Sequence, residues 1–481
     1  METAKTAVRL PRSYPEDQKV PGSAIAAFLE AVRTGGLELH SFMMLRHGSV
    51  IAEAWWAPYK PNLPHMLFSL SKSFTSTAVG LAVSEQLISL DDPVISFFPD
   101  ELPDEISENL AAMQVRHLLM MGTGHEEDTM IAIHKRADGD WVKAFLNVPV
   151  TKQPGTHFLY NTGATYMLSA ILQKRTGQTL LEYLEPRLFQ PLGITGAAWE
   201  SCPRGINTGG FGLSLTTEDI AKFGQLYLKK GSWNGQRIID EEWINEATSK
   251  QIANGQNDES DWAQGYGYQF WRCRHGVYRG DGAFGQFCVV LPEQDAVIAI
   301  TSGTNDLQGV LNAVWDHLLP ALNAESVLST VSSRFDLSTV ITALSIEPPS
   351  HTITSPMEKL IDGKKYMLDD PDQQISSISF SFGEHGAAVL IHNTAGEQVV
   401  HAGRGEWKED YAEILDQKMN RMMSSFTWLS NKTLELTLRF VETPYCVTVQ
   451  AVFEEPSFVQ IKQWMNVSFN PKVEVVTGRA E

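Results

Sequence analysis

Ser69-Leu70-Ser71-Lys72 places a hydroxyl and an amine three residues apart. On a helix, positions i and i+3 share one face, so the Lys72 amine can sit beside the Ser69 hydroxyl and take its proton. A serine activated in that way attacks carbonyl carbon, and the chemistry is acyl transfer through a covalent acyl-enzyme. Spacing alone carries little, because the same tetrad also reads as a helix-capping serine beside a solvated lysine. The surroundings favour chemistry. Pro64 and the apolar Met66-Leu67-Phe68 precede the tetrad, and Ser73 to Val83 is small and apolar, with Ala78, Val79, Gly80, Leu81 and Ala82. That composition predicts a helix buried against other elements, which would hold nucleophile and lysine rigidly. At the helix start, unpaired N–H groups and the positive dipole end would favour negative charge developing near Ser69.

Further stretches follow in a fixed order. Leu90-Asp91-Asp92-Pro93-Val94 runs on to Phe98-Pro99, and Val115-Arg116-His117-Leu118-Leu119 is followed by Thr123-Gly124. Then come Pro154-Gly155-Thr156-His157-Phe158-Leu159-Tyr160-Asn161-Thr162-Gly163 and Gly209-Gly210-Phe211-Gly212-Leu213-Ser214, with Thr217-Glu218-Asp219-Ile220-Ala221 after it. Over residues 20–322 this series resembles the penicillin-recognising serine hydrolases: class C β-lactamases, D,D-peptidases, family VIII esterases and related amidases. The resemblance implies an α+β fold, an antiparallel sheet flanked by helices with an all-helical insert. It also implies that Tyr160, at the place of the tyrosine in the family's Tyr-x-Asn motif, is general base through its phenolate or a proton shared with Lys72. An ordinary tyrosine is protonated at neutral pH, so that role needs a cation to depress its pKa, and Lys72 is the expected one. Thr162 stands where the motif ends in Asn, and its shorter hydroxyl makes fewer hydrogen bonds.

The family's last element is a strand bearing Lys-Thr-Gly or His-x-Gly, and Tyr278 to Phe287 occupies its place. By register Gly280-Asp281-Gly282 replaces the motif, which leaves Gly280 where the family has a cation. Arg279 is adjacent, but side chains alternate faces along a strand, so it is expected to point away from the pocket unless a bulge intervenes. Gly282 fits a strand over which substrate passes closely, and the backbone N–H of Ala283, with that of Ser69, is expected to form the oxyanion hole. A plain glycine-rich turn is the competing reading. The expected catalytic set is Ser69, Lys72 and Tyr160, and the expected oxyanion and substrate-binding set is Ala283, Gly282, Asp281, Gly280, Thr162 and Asn161.

The chain has 481 residues, 43% of them hydrophobic, enough for more than one core. A net charge of −19 argues against nucleic acid or an anionic membrane as partner, leaving a small-molecule substrate and, as an open alternative, a second copy of the chain. Cys202, Cys273, Cys288 and Cys446 lack metal-site spacing and read as free thiols of a reducing compartment. Met1 to Lys19 is polar, without the apolar core of a signal peptide, so the expected location is cytoplasmic. His125-Glu126-Glu127-Asp128 with His134 could suggest a metal, but its donors are contiguous rather than set at ligand spacing. A loop at the pocket entrance is the preferred reading, with no metal and no cofactor.

Apolar runs broken at His47-Gly48 predict an opening hairpin, Phe287 to Thr301 predicts another, and Leu307 to Leu322 has helical spacing. Prolines then gather (Pro348, Pro349, Pro356), as in a linker. Beyond it alternation is the rule: Ile378, Phe380, Phe382, then Leu434, Leu436, Leu438, Phe440, then Val447, Val449, Ala451. The expected domains are a hydrolase domain over 1–322, a linker over 323–357 and an antiparallel, barrel-like β domain over 358–481. Met419, Met422 and Met423 read as core or loop packing rather than a binding surface. The functional expectation is a serine hydrolase of small uncharged esters or amides. A D-amino-acid peptidase or amidase, then a β-lactamase, stand behind it. A non-catalytic binding or sensor protein on the same scaffold is the alternative of another class.

Overall fold

The computed structural model describes residues 9–323, 335–369, 375–394, 396–414 and 418–481. The first residues of the expected cytoplasmic N-terminus and 324–334 of the expected linker lie outside the described residues. Two compact units emerge. Among the described residues, the first comprises 9–54, 64–302, 306–323 and 335–342, and the second 55–63, 303–305 and those from 343 to 481.

In the first unit, β1 (Leu39–Arg46) and β2 (Ser49–Trp55) form the expected hairpin. His47 and Gly48 both take positive φ, 48° and 80°, the twist that a two-residue hairpin turn needs. Far along the chain β3 (Trp271–Arg272), β4 (Tyr278–Gly282), β5 (Gln286–Leu291) and β6 (Ala296–Ser302) complete a six-stranded sheet ordered β2-β1-β6-β5-β4-β3. The pairs from β1 through β6 and β5 to β4 and β3 are antiparallel. Every residue of β1, β5 and β6 is buried, which requires cover on both faces and explains their nearly continuous apolar sequence. Helix α1 (Gly22–Thr34) supplies cover through Ile25, Phe28, Leu29 and Val32, with the Phe28 and Phe42 rings 4.8 Å apart.

Helix α2 (Ser71–Ser84) is buried from Ser71 to Ala82, as its small apolar composition predicts. Two of its threonine hydroxyls find partners on neighbouring elements: Thr75 donates to the Gly209 carbonyl at 2.8 Å, and Thr77 bonds Tyr227 at 2.7 Å. Between β2 and β3 the chain is helical, with α2, α3 (Thr162–Thr176) and α4 (Thr217–Leu228) its longest elements. It also holds short strands, His65–Met66 and Ala198–Trp199 flanking Leu213–Leu215, and a small Ser232–Trp233/Gln236–Arg237 ribbon. Residues Leu307–Asn323 are helical as their spacing predicts.

The second unit is a closed nine-stranded barrel. Its strands run from Lys365–Asp369 to Glu474–Ala480, which pair with each other, and closure is completed where Gly403 of Gly396–Arg404 meets Ser425 of Asn420–Ser430. Lys408–Ala412 pairs alongside as a tenth strand. The alternating residues fill the interior: Ile378, Phe380, Leu434, Leu436, Leu438, Phe440 and Ala451 are buried around Trp428 and Phe453. Trp428 is 0% exposed and satisfies its indole N–H on Glu358 at 2.8 Å. Met422 is in this core, and Met419 is exposed. Two short segments of the preceding sequence join the unit: Ala57 bridges to Ser345, and Tyr59 and Leu63 pack with Val441. Among the described residues no helix is long and apolar enough to cross a membrane.

Candidate active site

The chain reaches α2 through the short strand His65–Met66 and one tight turn, Phe68–Leu70, anchored where the Leu67 N–H donates to the Leu213 carbonyl at 2.9 Å. Ser69 lies in that turn, just ahead of the helix whose start it was expected to occupy, and Leu70 rather than Ser69 is the N-cap. Lys72, on the first turn of α2, is 1% exposed. That burial excludes the solvated-lysine reading of the tetrad. Its Nζ is 2.9 Å from Ser69 Oγ, 2.8 Å from the Gly210 carbonyl and 3.4 Å from Thr162 Oγ1. Three of the expected stretches therefore meet at one nitrogen.

Burial pulls the Lys72 ammonium down to about 7, with the nearby Asp128 and Asp281 carboxylates acting against the fall. All three oxygens accept from the Lys72 N–H groups, and on losing its proton the amine gains a lone pair that faces the Ser69 hydroxyl. Tyr160 behaves in the opposite sense from the expectation. Its ring is partly exposed, but its hydroxyl end is buried, and burial followed by the Asp281 charge pushes the phenol well above its ordinary value, against a hydrogen bond to Ser69. The cation that was to depress it is itself near neutrality, and desolvation wins. Tyr160 stacks on Trp271 at 5.3 Å and meets Tyr266 edge-on at 6.2 Å, and Lys72 Nζ lies 4.9 Å from its ring centre.

Asn161 does not face the open side of the site. It is fully buried, its Oδ1 accepting from the Thr129 N–H at 3.1 Å and the Thr129 hydroxyl at 2.8 Å. It fixes the chain between Tyr160 and α3. Asp128, singled out in the sequence only as part of an acidic run, accepts the Thr162 N–H at 3.0 Å and so fastens the start of α3 beside Lys72. His125 is buried against Thr123, Nδ1 to Oγ1 2.9 Å, and burial takes it down to about 4, so it is a neutral core histidine and not a pocket-entrance residue. Among the described residues no group of three or more His, Cys, Asp or Glu gathers as a metal site. The four cysteines are buried and not joined by disulfides.

On β4 the glycines and the charged residues face opposite ways, as alternation requires. A Cβ at Gly280 would lie 2.5 Å from Leu70 Cδ1 and Ser73 Oγ, and one at Gly282 would lie 2.1 Å from the Leu67 carbonyl oxygen. Both glycines face the nucleophile's turn and α2; backbone leaves room only for glycine at 282, and a side chain at 280 would have to displace Leu70 and Ser73. Arg279 and Asp281 share the other face, and both charges act on Tyr160. They form a buried ion pair, Arg279 Nε to Asp281 Oδ2 2.9 Å, with Arg279 also donating to the Asp261 carbonyl at 2.7 Å and lying over the Trp262 ring at 4.3 Å. Ala283 follows in the turn at the end of β4, half-buried. Because Gly282 packs on Leu67 and Phe68, this turn and the Ser69 turn are neighbours.

The profile of the beta-lactamase family matches residues 12–320. A 6-aminohexanoate-dimer hydrolase of Paenarthrobacter ureafaciens is 26% identical over 287 residues, 55% of this chain and 73% of that protein. The solved structure of EstCE1, a hydrolase with promiscuous acyltransferase activity, is similar over 61% of this chain and 97% of its own, at 16% identity and a TM-score of 0.51. The octameric penicillin-binding protein homologue from Pyrococcus abyssi is similar over 94% of this chain and 99% of its own, at 15% identity and a TM-score of 0.50. With the serine, lysine and tyrosine gathered on this fold and the family matched over most of the chain, the protein is a member of the beta-lactamase family.

Proposed function

We propose that this protein is a serine hydrolase that cleaves small uncharged esters or amides through an acyl-enzyme. The observation that carries the reading is the Lys72 amine 2.9 Å from Ser69 Oγ, buried, with its pKa near neutrality. In the proposed sequence, Ser69 Oγ attacks the substrate carbonyl carbon as its proton passes to the Lys72 lone pair. The oxyanion is held by the N–H groups of Ser69 and Ala283. Tyr160, protonated and bonded to Ser69, gives its proton to the leaving oxygen or nitrogen and regains one from Lys72. Water then repeats the steps in reverse to release the acid. Thr162 and Gly210 hold Lys72 in place, Asn161 and Asp128 hold the Tyr160–Thr162 segment, and Gly280 and Gly282 let β4 approach α2.

The substrate class rests on charge. Gly280 carries no cation where the family has one, and Arg279 is enclosed and matched by Asp281, so neither offers a charge to a substrate carboxylate. The relative that hydrolyses 6-aminohexanoate dimer, an amide, and the promiscuous EstCE1 support an ester or amide bond. The proposal assigns catalysis to the domain ending near residue 322 and no catalytic group to the barrel. It places the protein in the cytoplasm, for which four cysteines not joined in disulfides speak, and includes a homo-oligomer, for which the octameric neighbour speaks. The test is a panel of p-nitrophenyl esters, anilides and nitrocefin against the protein and its Ser69→Ala variant. Turnover of esters or anilides lost in Ser69→Ala is expected. Nitrocefin turned over as fast as the best ester would overturn the substrate class, and no turnover of any would favour a binding protein.

A further inference from the structure

The two N–H groups assigned to the oxyanion hole belong to irregular turns rather than to regular elements, and each neighbours an unusual residue. Phe68, before Ser69, has φ 48°, and Phe284, after Ala283, has φ 64°. Both lie in the left-handed region, where a glycine would sit without strain and a phenylalanine persists only if its surroundings hold it. Both are phenylalanine, and their rings meet edge to face at 5.4 Å and 90°. Behind Phe284 the turn is tied to the sheet by Gln286, which is fully buried: its Nε2 donates to the Ala283 carbonyl at 3.1 Å and the Ser302 carbonyl at 2.8 Å, and its Oε1 accepts the Ser302 N–H at 3.2 Å. The Ser302 hydroxyl reaches the carbonyls of Phe284 at 2.7 Å and Gly285 at 2.8 Å. An unbroken series of contacts thus runs from the Ser69 turn through the two rings to the Ala283 turn, and from there to the sheet.

We propose that Phe68, Phe284 and Gln286 are positioning residues that set the separation and direction of the Ser69 and Ala283 N–H groups. The inference rests on the serine-hydrolase reading above and deepens it. Glycines at 68 and 284 would accept the same backbone, so what the phenylalanines add is the ring contact that ties one turn to the other. Donors held in advance stabilise the tetrahedral oxyanion more than the planar ground state, so loosening them should reduce kcat and leave KM nearly alone.

The experiment compares Phe68→Ala, Phe284→Ala and Gln286→Met, the last keeping bulk while losing both donated bonds. It measures kcat and KM on p-nitrophenyl butyrate and Ki for an aryl boronic acid, which forms a tetrahedral adduct on an active serine. The expected result is kcat lower by about 10-fold or more, KM within about threefold, and Ki raised by the same factor as kcat. Folded variants with kcat and Ki both within about twofold of the parent overturn the proposal, as do losses confined to KM or melting temperature. Should the alanine variants not fold, Phe284→Leu and Gln286→Glu carry the same criteria. A parent protein that is not labelled at Ser69 by a fluorophosphonate overturns the hydrolase reading and this inference with it. A labelled parent with unaltered variants overturns this inference alone.

Discussion

If neutral Lys72 is the base, activity must follow the loss of its proton. The amine falls from 10.5 to about 7, which corresponds to a penalty of about 5 kcal/mol on the charged form inside the protein. Above pH 7 most of the enzyme carries the free base, and at pH 6 about one-tenth does, so kcat/KM should fall about tenfold per pH step below 7. Tyr160 is held well above its ordinary value, so no alkaline loss from its ionisation is expected in the neutral range. Asp128 and Asp281 raise the lysine, so Asp128→Asn should move the acid limb to lower pH. The folded pKa lies below the unfolded one, so the unfolded chain binds more protons between about 7 and 10.5, and stability rises with pH across that window. Lys72→Met should therefore raise the melting temperature at pH 7 while abolishing turnover. The assay is kcat/KM on p-nitrophenyl butyrate from pH 5 to 9, with the rate of fluorophosphonate labelling measured in parallel. An acid limb centred above pH 9 would mean that Lys72 stays charged in the neutral range, and a flat profile that its titration does not govern the rate; either refutes the reasoning.

Tyr160→Phe and Lys72→Ala should each lower kcat by about 100-fold, and the double variant should lose little more, because both act on one proton; losses that multiply would show independent roles. Removing one partner of the Arg279–Asp281 pair leaves a buried charge unmatched, so Arg279→Ala or Asp281→Ala should cost about 3–5 kcal/mol in denaturant unfolding. A cost below 1 kcal/mol would mean that solvent reaches the pair. Gly280→Lys, which would restore the family's cation in sequence, should lower stability and not raise benzylpenicillin turnover, because the side chain would be driven into Leu70 and Ser73; a folded variant with enhanced penicillin hydrolysis would refute the facing of β4.

Much of this was readable in advance. Ser69 and Lys72 are linked by three residues of chain, so their meeting depends only on local geometry, and it was predicted. The hairpin at His47-Gly48 and the alternating Leu434 to Phe440 are local signals too, and both lie where the pattern put them. What the pattern could not supply was which side of a strand meets which neighbour. Alternation places Arg279 and Asp281 on one face and Gly280 and Gly282 on the other, but only packing says that the glycine face lies on α2. The upward push on Tyr160 is hidden for a related reason: a neighbouring cation can be inferred from a motif, whereas desolvation depends on everything packed around the hydroxyl. Asp128 sat in an acidic run like many that merely face solvent, and nothing local marks the one that reaches Thr162. The joining of residues 55–63 and 303–305 to the barrel unit is likewise a matter of topology, without a signal in those short segments.

The central claim is that Ser69 is a nucleophile activated by Lys72. Intact-mass spectrometry after incubation with a fluorophosphonate, followed by peptide mapping, tests it most directly. The account predicts one adduct per chain, on the peptide containing Ser69, absent in Ser69→Ala and formed much more slowly in Lys72→Ala. No adduct, or equal labelling of the parent and Ser69→Ala, would contradict it.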